Sequence, residues 1–307
     1  LSGAIRYDNT TFPSEIGVGA IMAGETWTVR RLLTWTEDFL RKKGFESPRL
    51  EAQILLAHAL GCSKIDLYVR HEEEPPEGKR TAFREMIKKR SEGMPVAYLV
   101  GFREFYSLPF AVSPAVLIPR PETETLVLQA LGALKAHASP RVLDLGTGSG
   151  CIAITIAKQH KTAHVTAVDS SVAAVEIAKA NAARHGVADR VTIVEGDLFA
   201  PVAGQLFDVI VSNPPYIAHE EFTGLDVGVR DFEPRQALDG GVDGLNFYRR
   251  IAAEAAAQLA PGGTILVEIG HKQAPAVEAL LTAQLGPAKT YLDMLGRPRV
   301  VSAKRPL

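Results

Sequence analysis

Phe207-Asp208-Val209-Ile210-Val211-Ser212-Asn213-Pro214-Pro215-Tyr216 is the stretch on which the reading of the fold turns. Its apolar half, 207–211, reads as a buried strand of a parallel sheet, because a strand covered on both faces has no reason to alternate polar and apolar residues. The two prolines then stop it. Proline has no N–H to donate and its ring fixes φ, so the hydrogen-bond ladder cannot pass Pro214 and Pro215. Ser212 to Tyr216 are therefore expected at the carboxyl edge of the sheet, where open α/β sheets hold their ligands.

Outward from this strand the pattern repeats. Apolar runs at 141–145, 164–168, 191–195 and 264–269 read as further strands. They alternate with helical patterns at 150–160, 171–185, 246–259 and 272–285, which is the signature of a parallel sheet with helices on both faces. Residues 291–294 and 299–302 are expected to close the sheet as a hairpin.

Upstream the period changes. Thr28, Leu32, Leu33, Trp35, Phe39 and Leu40 recur at helical spacing, and Gly44 stands where a helix would end. Ser47-Pro48 opens a second helix through Leu50, Ile54, Leu55, His58 and Leu60 to Gly61. His58 reads as packed on its apolar side. A short helix near 64–68, a break at Pro75-Pro76 and a helix over 79–90 follow, and Glu72-Glu73-Glu74 reads as a solvated face. In 95–121 the strand-formers Tyr98, Val100, Phe102, Phe105, Tyr106, Phe110 and Val112, punctuated by Gly101 and Leu108-Pro109, suggest a β-hairpin linker. A helix over 122–136 is expected next. The chain thus divides into 1–24, read as a tag, upstream extension or disordered tail; 25–94, a helical bundle; 95–121, the linker; and 122–307, the α/β domain.

Composition narrows the function. Of 307 residues, 46% are hydrophobic and 22% charged, and the net charge is −1, so no basic surface suited to coating a polyanion is expected. The two cysteines make neither a disulfide framework nor a metal cluster. No apolar run reaches the ~18 residues of a membrane span. A cytoplasmic protein, with no membrane attachment and no metal, is expected.

The motif has a specific chemistry. The Asn213 side-chain oxygen and the Pro214 carbonyl can each accept a hydrogen bond from an –NH2 group, and Tyr216 offers a flat face for a planar group. Such a nitrogen, in a carboxamide or on a base, is a poor nucleophile because its lone pair is delocalised. Two acceptors on its hydrogens favour the more pyramidal form that develops in a transition state.

A second motif supplies the other half. Asp144-Leu145-Gly146-Thr147-Gly148-Ser149-Gly150 follows the first strand, and such a turn brings backbone N–H groups against a ligand. The dinucleotide fingerprint is not met, since its third glycine would fall on Cys151. The pattern suits a cofactor with no pyrophosphate, S-adenosylmethionine. Asp169 ends the second strand, where an acid can take both ribose hydroxyls. Asp197 and Leu198 follow the third strand and would flank the adenine.

Asp144–Gly150 together with Asn213-Pro214-Pro215-Tyr216 resembles the amino-methyltransferases of DNA and of protein glutamine. The segment Ile118-Pro119-Arg120-Pro121-Glu122-Thr123-Glu124, the segment Phe232-Glu233-Pro234-Arg235-Gln236-Ala237-Leu238-Asp239-Gly240-Gly241 and the helical region before them resemble the release factor glutamine methyltransferases. The resemblance implies a Rossmann-like S-adenosylmethionine-dependent methyltransferase sheet with a small N-terminal helical domain that docks the substrate, joined to it by a β-hairpin linker. It implies N5-methylation of the glutamine in the Gly-Gly-Gln motif of peptide chain release factors. Gly146, Thr147, Gly148, Ser149, Gly150, Asp169, Asp197, Leu198 and Asn213 would line the cofactor side. Asn213, Pro214, Pro215 and Tyr216 would hold the glutamine, with Asn213, Pro214 and Tyr216 closest to the chemistry. Leu198 stands where some members carry an aromatic. A monomer that forms no stable complex with nucleic acid is expected. Two other readings share these motifs: a DNA adenine-N6 methyltransferase, and a non-catalytic S-adenosylmethionine-binding module on the translation machinery. The near-neutral charge and the lack of a target-recognition domain weigh against the first, and the intact Asn213 motif against the second.

Overall fold

The structure is a computed structural model that describes residues 26–135 and 137–307. The reading of 1–24 as a tag, extension or tail lies outside the described residues. The chain separates into two compact units, one ending at Val100 and the other beginning at Gly101.

The first unit is helical: α1 Val29–Lys42, α2 Pro48–Leu60, α3 Lys64–Val69, α4 Glu77–Ser91 and α5 Val96–Val100. The Thr28 hydroxyl caps α1 by accepting from the Arg31 N–H at 3.3 Å. Ser63 and Asp66 form a reciprocal capping box on α3. Ser47 gives α2 no side-chain cap, and that helix starts on Pro48 alone. Val29, Leu32, Leu55, Leu56, Leu67, Phe83 and Ile87 make the core. His58 is exposed, contrary to its reading as packed. The buried stripe of α2 runs through Ala52, Leu55, Leu56 and Ala59, which turns His58 and Leu50 to solvent.

The expected hairpin linker needs two corrections. Tyr98 and Val100 lie in helix α5 rather than in a strand. The hairpin itself is β1 Phe102–Phe105 with β2 Leu108–Ala111, so Leu108-Pro109 is strand and the turn is Tyr106-Ser107. Both turn residues have positive φ, 52° and 59°, the geometry whose twist matches a two-residue hairpin. Glu124 holds this costly conformation by accepting from the Tyr106 N–H at 2.9 Å. Composition gave no sign of it, because neither residue is a glycine or asparagine.

The second unit continues with α6 Glu124–Leu134, which starts after a 3-10 turn at Pro121–Thr123. Then come β3 Arg141–Leu145, α7 Cys151–Gln159, β4 His164–Asp169, α8 Val172–Arg184, β5 Val191–Glu195 and β6 Phe207–Ser212. They are followed by α9 Val227–Phe232, α10 Asn246–Gln258, β7 Leu259–Glu268, α11 Ala274–Gln284, β8 Lys289–Leu292 and β9 Pro298–Lys304. Helix α9 has no counterpart in the sequence reading. Met294 falls in the closing turn rather than in β8.

The sheet order is β5-β4-β3-β6-β7-β9-β8, with β9 antiparallel to β7 and β8 antiparallel to β9. Successive strand residues face opposite layers. Val142, Val209, Val211 and Leu266 enter the core with α6, α7 and α8, while Leu143, Ile210, Ile265 and Val267 enter the core with α10 and α11. Burying such a side chain contributes about 1.5–3 kcal/mol, so both faces hold the sheet between its helices. Strand order reverses between β3 and β6. There Leu145 pairs with Ser212, and the Ser212 hydroxyl donates to the Leu145 carbonyl at 2.8 Å. The crevice beyond this pair is the topological switch point, where α/β sheets bind ligands.

Candidate active site

The glycine loop leaves β3 through Gly146, Gly148 and Gly150, with φ of 71°, 54° and 80°. A side chain at Gly150 would meet Ile154 and Ala178, at 2.9 and 3.3 Å, so this glycine lets α7 start against α8. At Gly146 and Gly148 an added Cβ would meet nothing within 4 Å, which leaves open space over the backbone there. The loop is held from behind. Gly146 and Thr147 donate to the Val168 carbonyl at 2.8 and 3.0 Å. Asn181, wholly buried on α8, donates to Ser149 O at 2.9 Å and exchanges two bonds with the backbone of Ala111 in the hairpin.

Asp144 is the buried post under the loop. Its Oδ2 accepts from the Thr147 hydroxyl at 2.7 Å and from Ala153 N at 3.3 Å, and its Oδ1 has no partner among the described residues. Burial pushes this carboxyl up to about 7, against the pull of those two bonds. Asp169, at the end of β4, accepts from Gly148 N at 2.8 Å through one oxygen and from Ser171 N at 2.9 Å through the other. A carboxylate has about four lone-pair sites, so each oxygen can still take another donor.

A cavity of about 250 Å³ lies over these elements. Gly146, Thr147, Gly148, Ser149, Asp169, Asp197, Leu198, Asn213, Pro214 and Pro215 all line it. Gly150 and Tyr216 do not. Asp197 turns outward, where Arg250 donates to it at 2.6 Å. Leu198 holds a left-handed backbone, φ 47°, which is uncommon for a branched residue and characteristic of constrained sites. The Tyr216 ring packs against the core beside Gly270, and burial pushes its hydroxyl up to about 12. Its carbonyl accepts from Gln273 at 3.0 Å, which ties the motif loop to the start of α11.

Several residues outside the twelve singled out for the site complete it. Arg120 lines the cavity and pairs with Glu233, which also accepts from Ile118 N at 3.1 Å. This links the two segments on which the family resemblance rested. Gln236 lines the cavity too and donates to the Ser170 hydroxyl at 2.8 Å. Ile152 and Phe247 add apolar wall. Gly244, φ 73°, lies so close to Tyr216 O that no side chain fits. Asn213 donates from Nδ2 to the Thr123 hydroxyl at 3.3 Å. Glu268, the last residue of β7, is buried, and desolvation pushes its carboxyl up to about 7. With its nitrogen turned to Thr123, the Asn213 amide presents its oxygen the other way. Nothing in the sequence marked Thr123 as a neighbour of Asn213.

Comparison with known proteins follows the same lines. The profile of the PrmC N-terminal domain matches residues 31–101, and that of the methyltransferase small domain matches 123–230. The release factor glutamine methyltransferase of Rhodopirellula baltica is 48% identical over 286 residues, covering 91% of this chain and 97% of its own. That of Geobacter sulfurreducens is 46% identical over 253 residues, covering 82% and 88%. Among solved structures, a methyltransferase from Pyrococcus furiosus superposes with a TM-score of 0.51 at 20% identity, over 66% of this chain and 91% of that one, a likeness of fold.

Proposed function

The chain belongs to the family of release factor glutamine methyltransferases, and from that premise we propose that it methylates the side-chain amide nitrogen, N5, of the glutamine in the Gly-Gly-Gln motif of peptide chain release factors. It is an S-adenosylmethionine-dependent methyltransferase. The observation that carries the finer reading is the Asn213 amide. Its nitrogen is occupied by Thr123, on the rim of a cavity that also holds the glycine loop and Asp169.

The residues present fit the cofactor. The open space over Gly146 and Gly148 is a cradle that any Cβ would begin to fill. Asp169 keeps acceptor capacity for two ribose hydroxyls, and Leu198, Ile152 and Phe247 offer apolar wall for a base. S-adenosylmethionine, when bound, supplies a methyl group on a cationic sulfur.

The protein's share is orientation and polarisation. Asn213 Oδ1 and the Pro214 carbonyl accept the two hydrogens of the glutamine amide, aim its nitrogen and favour its more pyramidal form. Fixing two reactants in line can account for ~7–11 kcal/mol of a barrier. Preorganised dipoles that strengthen as charge develops add to that. No strong base is invoked, because the nitrogen becomes acidic once methylated. Pro214 and Pro215 hold the loop extended, and Tyr216 anchors it from behind. We assign the helical unit, which matches the PrmC N-terminal domain, to docking of the protein substrate. Ile65 and Val69, exposed on α3, give it an apolar contact surface. We place the activity in the cytoplasm and in a monomer.

The test is methyl incorporation from labelled S-adenosylmethionine into intact release factor and, separately, into adenine-containing DNA. Label is expected in the release factor and absent from DNA. Salt-sensitive labelling of DNA would overturn the substrate assignment.

A further inference from the structure

The cofactor side of the site takes up one half of the sheet edge. The glycine loop, Asp169 and Asp197-Leu198 stand at the ends of β3, β4 and β5, and Pro234, Gln236 and Ala237 wall the same cavity. From the Asn213 motif at the end of β6, the sheet continues the other way through β7, β9 and β8. An exposed apolar turn stands on that side. We propose that Met294 and Leu295, at the tip of the β8–β9 hairpin, form a second docking contact for the release factor, meeting an apolar surface beside its glutamine loop rather than the glutamine itself. This inference rests on the function proposed above.

Topology places the tip at the active-site edge. Strand β9 runs antiparallel to β7, with Val300 opposite Glu268, so the start of β9 lies at the carboxyl end of β7. Ile269 N donates to the Arg299 carbonyl at 2.9 Å, and the Arg299 guanidinium donates back to Ile269 O at 3.3 Å. The next residue, Gly270, lies against the Tyr216 ring, and its N–H is held by Gln273, which also donates to Tyr216 O. A short chain of contacts therefore runs from the motif loop to the foot of the hairpin. Neighbouring strands are about 4.8 Å apart, so the tip, two to three strands from β6, stands roughly 10–15 Å to the side of the motif. That is beyond one glutamine side chain and inside the footprint of a protein, since a stable interface covers about 800 Å² per partner.

The turn itself presents apolar side chains on a stiff support. Met294 is fully exposed, Leu295 is 72% exposed, and Leu292, at the end of β8, is 57% exposed. Single exposed leucines are ordinary, but three large apolar residues within four positions form a patch. Asp293 and Gly296 supply the chemistry a turn needs, so Met294 and Leu295 are not required to make it. Asp293 accepts through its carboxylate from Leu295 N at 2.9 Å and from Arg297 N at 3.0 Å. Its own N–H donates to Arg297 O at 2.8 Å, and Gly296 N donates to Asp293 O at 3.0 Å. Gly296, φ 74°, provides the left-handed residue that closes the turn. A turn held this way loses little conformational freedom on docking, while the unbranched Met294 can adapt to an irregular partner. Neither Met294 nor Leu295 lines the cavity over the glycine loop, so their contact is with the protein substrate rather than the cofactor.

The experiment measures kcat and KM with intact release factor, affinity for S-adenosylmethionine by calorimetry, and sedimentation of the enzyme alone. It compares wild type, the double variant Met294→Ala with Leu295→Ala, and the apolar exchange Met294→Leu with Leu295→Met. The alanine pair is expected to raise KM about tenfold, the scale of truncating an interface anchor. The kcat at saturating release factor and the affinity for S-adenosylmethionine should stay within about twofold, because a contact remote from the reacting atoms acts in ground and transition states alike. The exchange keeps the apolar surface and should hold KM within about threefold of wild type. An alanine pair with wild-type KM refutes the contact and leaves the proposed function standing. One that lowers kcat with KM unchanged refutes it too, since the tip would then act through the site. An exchange variant as weak as the alanine pair refutes an apolar contact. Wild-type dimers that the alanine pair turns into monomers would assign the tip to a second copy of this chain and overturn the proposal. A wild-type enzyme that places no methyl group on release factor overturns the proposed function and the docking contact with it.

Discussion

Replacing Asp169 by asparagine is a sharper test of the cofactor side than removing it. Each carboxylate oxygen of Asp169 already accepts a backbone N–H, from Gly148 at 2.8 Å and from Ser171 at 2.9 Å. An asparagine has only one oxygen, so its –NH2 must face one of those two donors. The side chain then either leaves the glycine loop or turns away from α8, and in both cases one ribose hydroxyl loses its acceptor. A hydrogen bond to a charged group contributes about 1.5–3 kcal/mol. At 1.4 kcal/mol per factor of ten, D169N should bind S-adenosylmethionine roughly 10- to 150-fold more weakly. Aspartate-to-alanine should do at least as much, since it abolishes both anchors. Calorimetric titration gives the dissociation constant, and far-UV circular dichroism checks that the fold persists. A folded D169N that binds within about twofold of wild type would remove Asp169 from the cofactor site.

Asn213→Ala should lower the single-turnover rate about 10²–10³-fold while sparing most cofactor affinity, because it removes one preorganised acceptor. Near-normal transfer by this variant would end its catalytic role. Gly244→Ala should lower both stability and transfer: its Cβ runs into Tyr216 O at a φ of 73°, a strain of about 1–3 kcal/mol before the clash is counted. An unchanged melting temperature would show that the loop tolerates a side chain there. Asp144 is held at about 7 against 3.8 when exposed. The folded chain therefore binds more protons than the unfolded chain between those values, and stability falls as pH rises through them. Asp144→Asn should reduce the drop in melting temperature between pH 5 and pH 8, leaving the share due to Glu268. An equal drop in both proteins would refute the assignment to Asp144.

The sheet was legible because its strands are apolar runs broken by glycine and proline, and the Leu145–Ser212 pair follows once β3 and β6 are central. Ten of the twelve residues singled out for the site line one cavity, because they sit at the ends of adjacent strands and the loops leaving them. What escaped the sequence was contact at a distance. Asn213 and Thr123 are 90 positions apart, and Arg120 and Glu233 are 113 apart, so no spacing could pair them. The Tyr106-Ser107 turn escaped for a different reason. Its left-handed backbone is demanded by the two-residue hairpin and braced by the hydrogen bond from Tyr106 N–H to Glu124. Helix phase misled at His58, where a small residue, Ala52, extends the buried stripe that a count of large apolar residues had placed one face over. Tyr216 reads as a stacking platform in isolation, yet its ring is taken up by the core beside Gly270.

The central claim is the acceptor atom. Intact release factor incubated with the enzyme and S-adenosylmethionine, digested and sequenced by tandem mass spectrometry, should carry one added methyl group on the glutamine of its Gly-Gly-Gln motif. Replacing that glutamine by alanine should abolish incorporation, and so should N213A enzyme. Methylation at any other residue, or incorporation that survives loss of that glutamine, would contradict the account.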